Sequence, residues 1–301
     1  MIVRKYLSVR KILRFTWWKI LILAAAGTGT AYLFVSCEQK WIALPMAPVA
    51  VLGTALAILL GFRNNSAYER WWEARRLWGA VVNDSRSLAR QIVTYVRGNS
   101  ETETKLLHRE LVYRIIAFSA AMRQQLRKLP VLESLRPFLS AEELARYERE
   151  QNVANALLQT QLLQLRELKD KGKFTEFELL QMDTRVNTLC DSLGGCERIK
   201  NTVFPRQYGY YTSLFTWIFV CLLPLALVAE LGYLVIPATV LIGFIFFVLE
   251  TVGRYIENPF ENTINDTPMS AISRTIEINL RQQLGEQELP EPVQAVDGFL
   301  F

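Results

Sequence analysis

Apolar and charged positions are strongly separated along the chain. Four stretches of about 20 residues contain no charged side chain, and they span residues 20–37, 42–62, 210–229 and 231–249. A helix of about 20 apolar residues crosses the roughly 30 Å hydrocarbon core of a bilayer, and a soluble domain needs no such set. The pattern therefore predicts four transmembrane helices in two close pairs.

Lys and Arg residues near the ends of these stretches indicate orientation, because they concentrate on the cytoplasmic side of a membrane. The N-terminal tail and the segment after the second stretch are basic, with Arg4, Lys5, Arg10, Lys11, Arg14, Arg63, Arg70, Arg75 and Arg76. The short links at 38–41 and 230 contain one Lys in total. Both termini and the large middle segment are therefore predicted to be cytoplasmic.

The middle segment has a helical pattern, since its apolar residues recur every three or four positions. No proline lies between Pro48 and Pro130, so the second apolar stretch is expected to continue into a long helix that ends at Gly98. Two Ser/Thr-x-x-Glu capping boxes, at 140–143 and 175–178, predict helices running to about residue 171 and to Gly194-Gly195.

The predicted fold is an all-α membrane protein. Residues 1–62 form a cytoplasmic N-terminus and transmembrane helices 1–2, and residues 63–209 form a cytoplasmic helical region. Residues 210–250 form transmembrane helices 3–4, and residues 251–301 form a cytoplasmic C-terminal segment.

Composition narrows the function classes. The 301 residues are 51% hydrophobic, which excludes a disordered chain. The net charge of +5 is explained by the cytoplasmic bias of basic residues and requires no nucleic-acid partner. Four cysteines and the single histidine, His108, form no metal-ligand pattern. No phosphate-binding loop or nucleophile triad is present, so we expect neither a cofactor nor enzymatic activity.

Two sequence motifs are more specific than this general pattern. The first, GFRNNSAYERWWEAR, covers residues 61–75 and includes Arg70, Trp71 and Trp72. The second, IENPF, follows the fourth apolar stretch and includes Asn258, Pro259 and Phe260. Either motif alone is typical of an interfacial aromatic belt or a helix-ending turn. Together with GCERI at 195–199, in this order on a four-span chain, they resemble the bestrophin family, most closely its bacterial branch.

The resemblance implies a homopentameric ion channel of the bacterial inner membrane, with one central pore. Its partners would be other copies of the chain, membrane lipids and permeating monovalent ions. Matching the first motif places a narrow hydrophobic neck at Thr54, Ile58 and Phe62. By chain order, a second constriction, the cytoplasmic aperture, is expected at Phe174 or Phe177.

The predicted neck is physically reasonable. Steps of four residues keep three side chains on one helix face, and five copies would stack them as three rings. Rings of Ile and Phe can gate a pore by dewetting, whereas a Thr54 ring should hydrate more easily. Spacing alone does not show which face lines a pore.

Animal bestrophins bind calcium after the fourth span. The matching residues here include only two carboxylates, Glu261 and Asp266, whereas calcium takes six to eight oxygen ligands. We therefore expect no calcium activation. Glu261 also stands where the family usually has glycine, so the backbone conformation at this position cannot be carried over from the family.

The predicted neck carries no fixed charge, so its residues do not determine whether the permeant ion is an anion or a cation. The resemblance allows anions, as in animal members, or monovalent cations such as sodium, as in bacterial members; we expect cations. A chloride channel is one alternative, and a non-conducting membrane-anchored interaction protein is another. The absence of ionisable residues within the four stretches argues against proton-coupled transport.

Overall fold

The computed structural model describes residues 9–300, with side chains from residue 16 onward. Within this range the secondary structure is helical apart from an isolated bridge between Val296 and Phe299. The α-helices are α1 (Val9–Ala31), α2 (Met46–Tyr95), α3 (Glu101–Leu126), α4 (Leu132–Leu135), α5 (Ala141–Arg146), α6 (Val153–Asp170), α7 (Glu176–Asn201), α8 (Arg206–Leu231), α9 (Val235–Ile256) and α10 (Met269–Gln283). The predicted basic residues Arg4 and Lys5 lie outside the described residues.

The described residues form two compact units. The apolar unit contains residues 9–70 and Val203–Glu257, and the polar unit contains Trp71–Thr202 and residues 258–300. Helix α2 is continuous over its 50 residues and supplies one part to each unit. The expected long second helix is therefore confirmed, and it ends at Tyr95, three residues before Gly98.

Three helical stretches of the described chain are long and apolar enough to cross a membrane: Thr16–Ser36, Lys40–Tyr95 and Arg206–Ile256. The third stretch is not one straight helix. Gly232 adopts φ +51° between α8 and α9, a backbone conformation that glycine tolerates best. The rings of Trp217 and Phe247, 30 positions apart, lie 4.7 Å apart, so α9 folds back along α8.

The apolar unit is held together by close helix packing. Val49, Leu56 and Leu60 form the buried stripe of α2 within it. A Cβ at Gly53 would lie 2.7 Å from the Phe219 ring, so only glycine permits α2 and α8 to approach this closely without a shift. Small residues at helix contacts are typical of membrane bundles.

The polar unit has its own extended core. Helix α3 packs against α6 and α10, and α6 packs against α7. Fully buried side chains at its centre include Trp78, Leu88, Ile92, Leu111, Ile115 and Phe118. The C-terminal helix α10 adds Ile276 and Leu280 to this cluster.

The helix predicted to begin at Ser140 is interrupted in the structure. The helix that begins after Ser140 ends at Arg146, and a new helix, α6, begins after Asn152, whose side chain accepts a hydrogen bond from the Asn155 amide at 3.1 Å. The prediction of one continuous helix is therefore wrong, whereas its predicted end near residue 171 is confirmed, because α6 ends at Asp170. The Ser140 hydroxyl caps α5, but the Glu143 carboxylate binds Arg114 instead of returning to the cap.

The predicted end of α7 at Gly194-Gly195 is also wrong, because α7 continues to Asn201. A Cβ at Gly195 would lie 2.9 Å from Leu77 Cδ1. This glycine therefore serves close packing and does not end the helix. The capping box at the start of α7 is confirmed: the Thr175 amide donates to Glu178 Oε2 at 2.6 Å, and the Glu178 amide donates to Thr175 Oγ1 at 3.3 Å.

Candidate functional site

The three predicted neck residues lie on one exposed face of α2. Ile58 is 56% exposed and Phe62 is 67% exposed, and Thr54 is also exposed. The Thr54 hydroxyl donates to the Ala50 carbonyl at 2.9 Å, so its hydrogen bond is satisfied within the helix. The face is turned away from the buried stripe of the same helix, and contacts within the described part of the chain do not cover it.

Small residues line this exposed face. Ala55, Ala57 and Gly61 are exposed, and no atom lies within 4 Å of a Cβ built at Gly61. Gly53 differs, because it packs against Phe219 within the same chain. On the face that carries the predicted neck, Ile58 and Phe62 therefore project from a surface of small side chains.

Arg63 follows Phe62 but lies on the opposite side of α2. It is only 2% exposed. Its Nη1 donates to Thr212 Oγ1 at 3.0 Å, and its Nη2 donates to Glu257 Oε2 at 3.1 Å. Glu250 Oε1 lies 3.7 Å from Nη1. The first positive charge after the predicted neck is thus neutralised inside the apolar unit.

Glu250 extends this network to α1. It is 1% exposed, and it pairs with Lys19 at 3.9 Å and with Arg254. The Lys19 ammonium also lies 4.4 Å from the centroid of the Phe247 ring, within cation–π range. Charged side chains buried this deeply require partners, and the network ties together α1, α2, α8 and α9.

Sequence reasoning missed this network. In the sequence, Arg63 indicates orientation and belongs to the first motif, Glu257 belongs to the second motif, and Glu250 has no role, so no ion pair among them is predicted. The available signal was positional: Arg63 directly follows the second apolar stretch, and Glu250 directly follows the fourth.

The two sequence motifs meet in the polar unit. The Trp71 indole Nε1 donates to the Asn265 carbonyl at 2.8 Å, in the loop that follows Asn258 and Pro259. Phe260 is 1% exposed and belongs to the polar core. Trp72 stacks on Trp71, with ring centroids 6.3 Å apart. Packing of one motif against the loop of the other gives a structural reason for both.

The two carboxylates in the loop after α9 bind different partners and do not converge on one site. Glu261 pairs with Lys200 at 2.8 Å. Asp266 is 3% exposed and accepts a hydrogen bond from Thr263, and burial raises the pKa of its carboxyl above the ordinary value. The positive φ of this turn falls on Asn262, at +63°, a residue type that tolerates this conformation, so Glu261 needs no glycine-like backbone.

The two aperture candidates have different environments. Phe174 is 8% exposed and packs in the polar core, whereas Phe177, in the first turn of α7, is 81% exposed. Only Phe177 has a ring that is free to contact another chain or an aqueous pathway.

The fold and site define an all-helical membrane protein whose second apolar helix continues into a helical polar unit. The structure is similar to that of a bacterial Bestrophin homolog from Klebsiella pneumoniae, with a TM-score of 0.83 and 32% identity, over 90% of this chain and 99% of that one. Residues 6–282 match the model of a family described as Bacterial/Fungal Bestrophin protein. The chain belongs to this family and is a bestrophin-family ion channel, so the resemblance inferred from the two motifs is confirmed.

Curated relatives agree with this assignment. The chain is 36% identical over 248 residues to the voltage-dependent anion channel-forming protein YneE of Escherichia coli (strain K12), covering 82% of this chain and 80% of that protein. It is 33% identical over 252 residues to the voltage-dependent anion channel-forming protein RSc3414 of Ralstonia nicotianae, covering 84% and 81%.

Proposed function

We propose that five copies of this chain assemble around one central pore in the bacterial inner membrane, with four transmembrane helices per copy. The exposed face of α2 would line the pore, and Thr54, Ile58 and Phe62 would form its neck. The observation that carries the proposal is that the described residues of the chain leave this face uncovered although it carries large apolar side chains. Ile and Phe rings would exclude water from a narrow pore and set a hydrophobic gate.

Phe177 is the better candidate for the cytoplasmic aperture. Its ring is exposed at the start of α7, whereas Phe174 is needed for the core of its own chain. Five Phe177 rings would form a second apolar constriction.

Monovalent cations such as sodium are the proposed permeant ions. Support comes from charge placement: Arg63, the positive residue next to the neck, is buried and paired with carboxylates. A chloride channel is the second candidate, and it is favoured by the names of the relatives, which describe voltage-dependent anion channel-forming proteins.

Current across a planar bilayer tests the neck. Replacing Ile58 and Phe62 by Ala removes apolar bulk from two rings, so the double variant should conduct several-fold more than the wild type, because a wider and wetter constriction costs ions less dehydration. Leu241→Ala is the control: it also removes apolar bulk from an exposed position, on α9, where Leu241 is 62% exposed. This variant should leave the conductance unchanged.

The number of chains in the assembly and the charge of the permeant ion are measured on the same purified protein. Native mass in detergent should be about 173 kDa, from five chains of 34.6 kDa. The reversal potential in a NaCl gradient distinguishes cation from anion preference. No current from either the wild type or the double variant would instead support a non-conducting interaction protein.

A further inference from the structure

Glu69 lies on the same face of α2 as the proposed neck. It follows Phe62 by seven residues, two helical turns that return it to within about 20° of the same direction. Its side chain is exposed and forms no ion pair within the described part of the chain. Asn65, also exposed, lies between them on this face and is uncharged. Glu69 is therefore the first charged side chain on this face after the neck.

Other charged side chains near the neck are paired or turned away. Arg63 is buried on the other side of α2 with Glu250 and Glu257. Glu73, about one turn after Glu69, is neutralised by Arg198 at 2.6 Å. The next exposed charge on the face is Arg76, seven residues beyond Glu69.

We propose that the Glu69 carboxylates of the assembled chains form an acidic ring that sets the charge preference of the pore. This inference rests on the proposed function, because it requires the exposed face of α2 to line the pore. Such a ring concentrates cations at the inner end of the neck and repels anions, as acidic rings do in cation channels.

Distance decides between the acidic and the basic residue. At 1.5 Å rise per residue, Glu69 lies about 10 Å from Phe62 along the helix and Arg76 about 20 Å. The screening length at physiological salt is about 8 Å. We sum the screened Coulomb potential of five charges at the level of Phe62 in a water-like dielectric. A ring of Glu69 then changes the cation-to-anion permeability ratio roughly fivefold, and a ring of Arg76 changes it less than about 1.5-fold.

Reversal potentials of the full-length protein in planar bilayers test this ring. In a 3:1 NaCl gradient near physiological concentration, Glu69→Gln should lower the cation-to-anion permeability ratio about fivefold. Glu69→Asp should retain the wild-type ratio, because it keeps the charge. Arg76→Gln, which neutralises one charge on the same face, should change the ratio less than about 1.5-fold.

Salt dependence separates an electrostatic role from a structural one. With the same 3:1 gradient at about 1 M salt, where the screening length is about 3 Å, the difference between wild type and Glu69→Gln should disappear. Conducting channels whose ratio is unchanged by Glu69→Gln, or changed equally by Arg76→Gln, would overturn the Glu69 ring and leave the neck intact. Absence of current from all variants would overturn the proposed pore and the ring together.

Discussion

At the scale of single residues, the buried guanidinium of Arg114 connects several helices of the polar unit. It is 2% exposed and donates to Glu143, to Gln161 at 3.1 Å, to Gln164 and to Glu110 at 3.2 Å. These partners lie on α3, α5 and α6 or just beside them, so one guanidinium joins three helices. A planar, permanently charged group with five donors suits this position, whereas Lys could not satisfy the same partners.

Arg114→Met should therefore strongly destabilise the protein. It leaves the nearly buried Glu143 carboxylate without its cationic partner, with only the Tyr147 hydroxyl still donating to it, and it leaves the 1% exposed Gln161 without its donor. Breaking a buried pair typically costs about 3–5 kcal/mol. The melting temperature of the detergent-purified protein should fall by roughly 6 °C or more. Arg146→Met is the matched control, because its pair with Glu142 is exposed on both sides and is worth less than about 1 kcal/mol. Equal melting temperatures for the two variants would contradict this role of Arg114.

At the scale of helices, the adjacent glycines of α7 should respond in opposite directions to the same substitution. Gly194 is exposed and has no atom within 4 Å of a built Cβ, whereas a Cβ at Gly195 meets Leu77 at 2.9 Å. Gly194→Ala should stabilise by about 1 kcal/mol, because alanine favours the helix. Gly195→Ala should destabilise by about 1–3 kcal/mol through overpacking. Thermal unfolding of both variants measures this, and a gain at both positions would show that α7 and α2 are not in close contact there.

These glycines also show how far the sequence predicts the helices. Helix α2 was predictable because nothing in its sequence interrupts it, and α7 began as predicted because its capping box is local. The end of α7 was not predictable, since a packing glycine and a helix-ending glycine look alike until Leu77 is placed beside Gly195. Likewise, the family resemblance placed Ile58 and Phe62 in the neck, and four-residue spacing put them on one helix face. Neither could reveal the Arg63–Glu250 pair, whose members are 187 positions apart.

At the scale of the whole molecule, the native cysteines offer a test of the proposed membrane orientation. Cys37 is the last residue of the first apolar stretch and Cys190 lies on α7, and both are exposed. If both termini and the polar unit are cytoplasmic, Cys37 faces the outside and Cys190 the inside. Partial burial nevertheless raises the pKa of the Cys190 thiol, so its labelling needs a mildly alkaline buffer to supply thiolate.

Two variants retain a single cysteine, Cys37 or Cys190, with the other three replaced by Ala. A membrane-impermeant maleimide, added to bacterial cells stripped of their outer membrane, reports which thiol lies outside the inner membrane. The Cys37 variant should react while the inner membrane is intact, since its thiol is outside. The Cys190 variant should react only after the inner membrane is permeabilised. A third variant that retains Cys196 should stay unreactive in both conditions, because this thiol is buried and burial raises its pKa. Labelling of Cys190 on intact cells, with Cys37 protected, would mean the reverse orientation, and the polar unit together with Glu69 would then lie outside the cell.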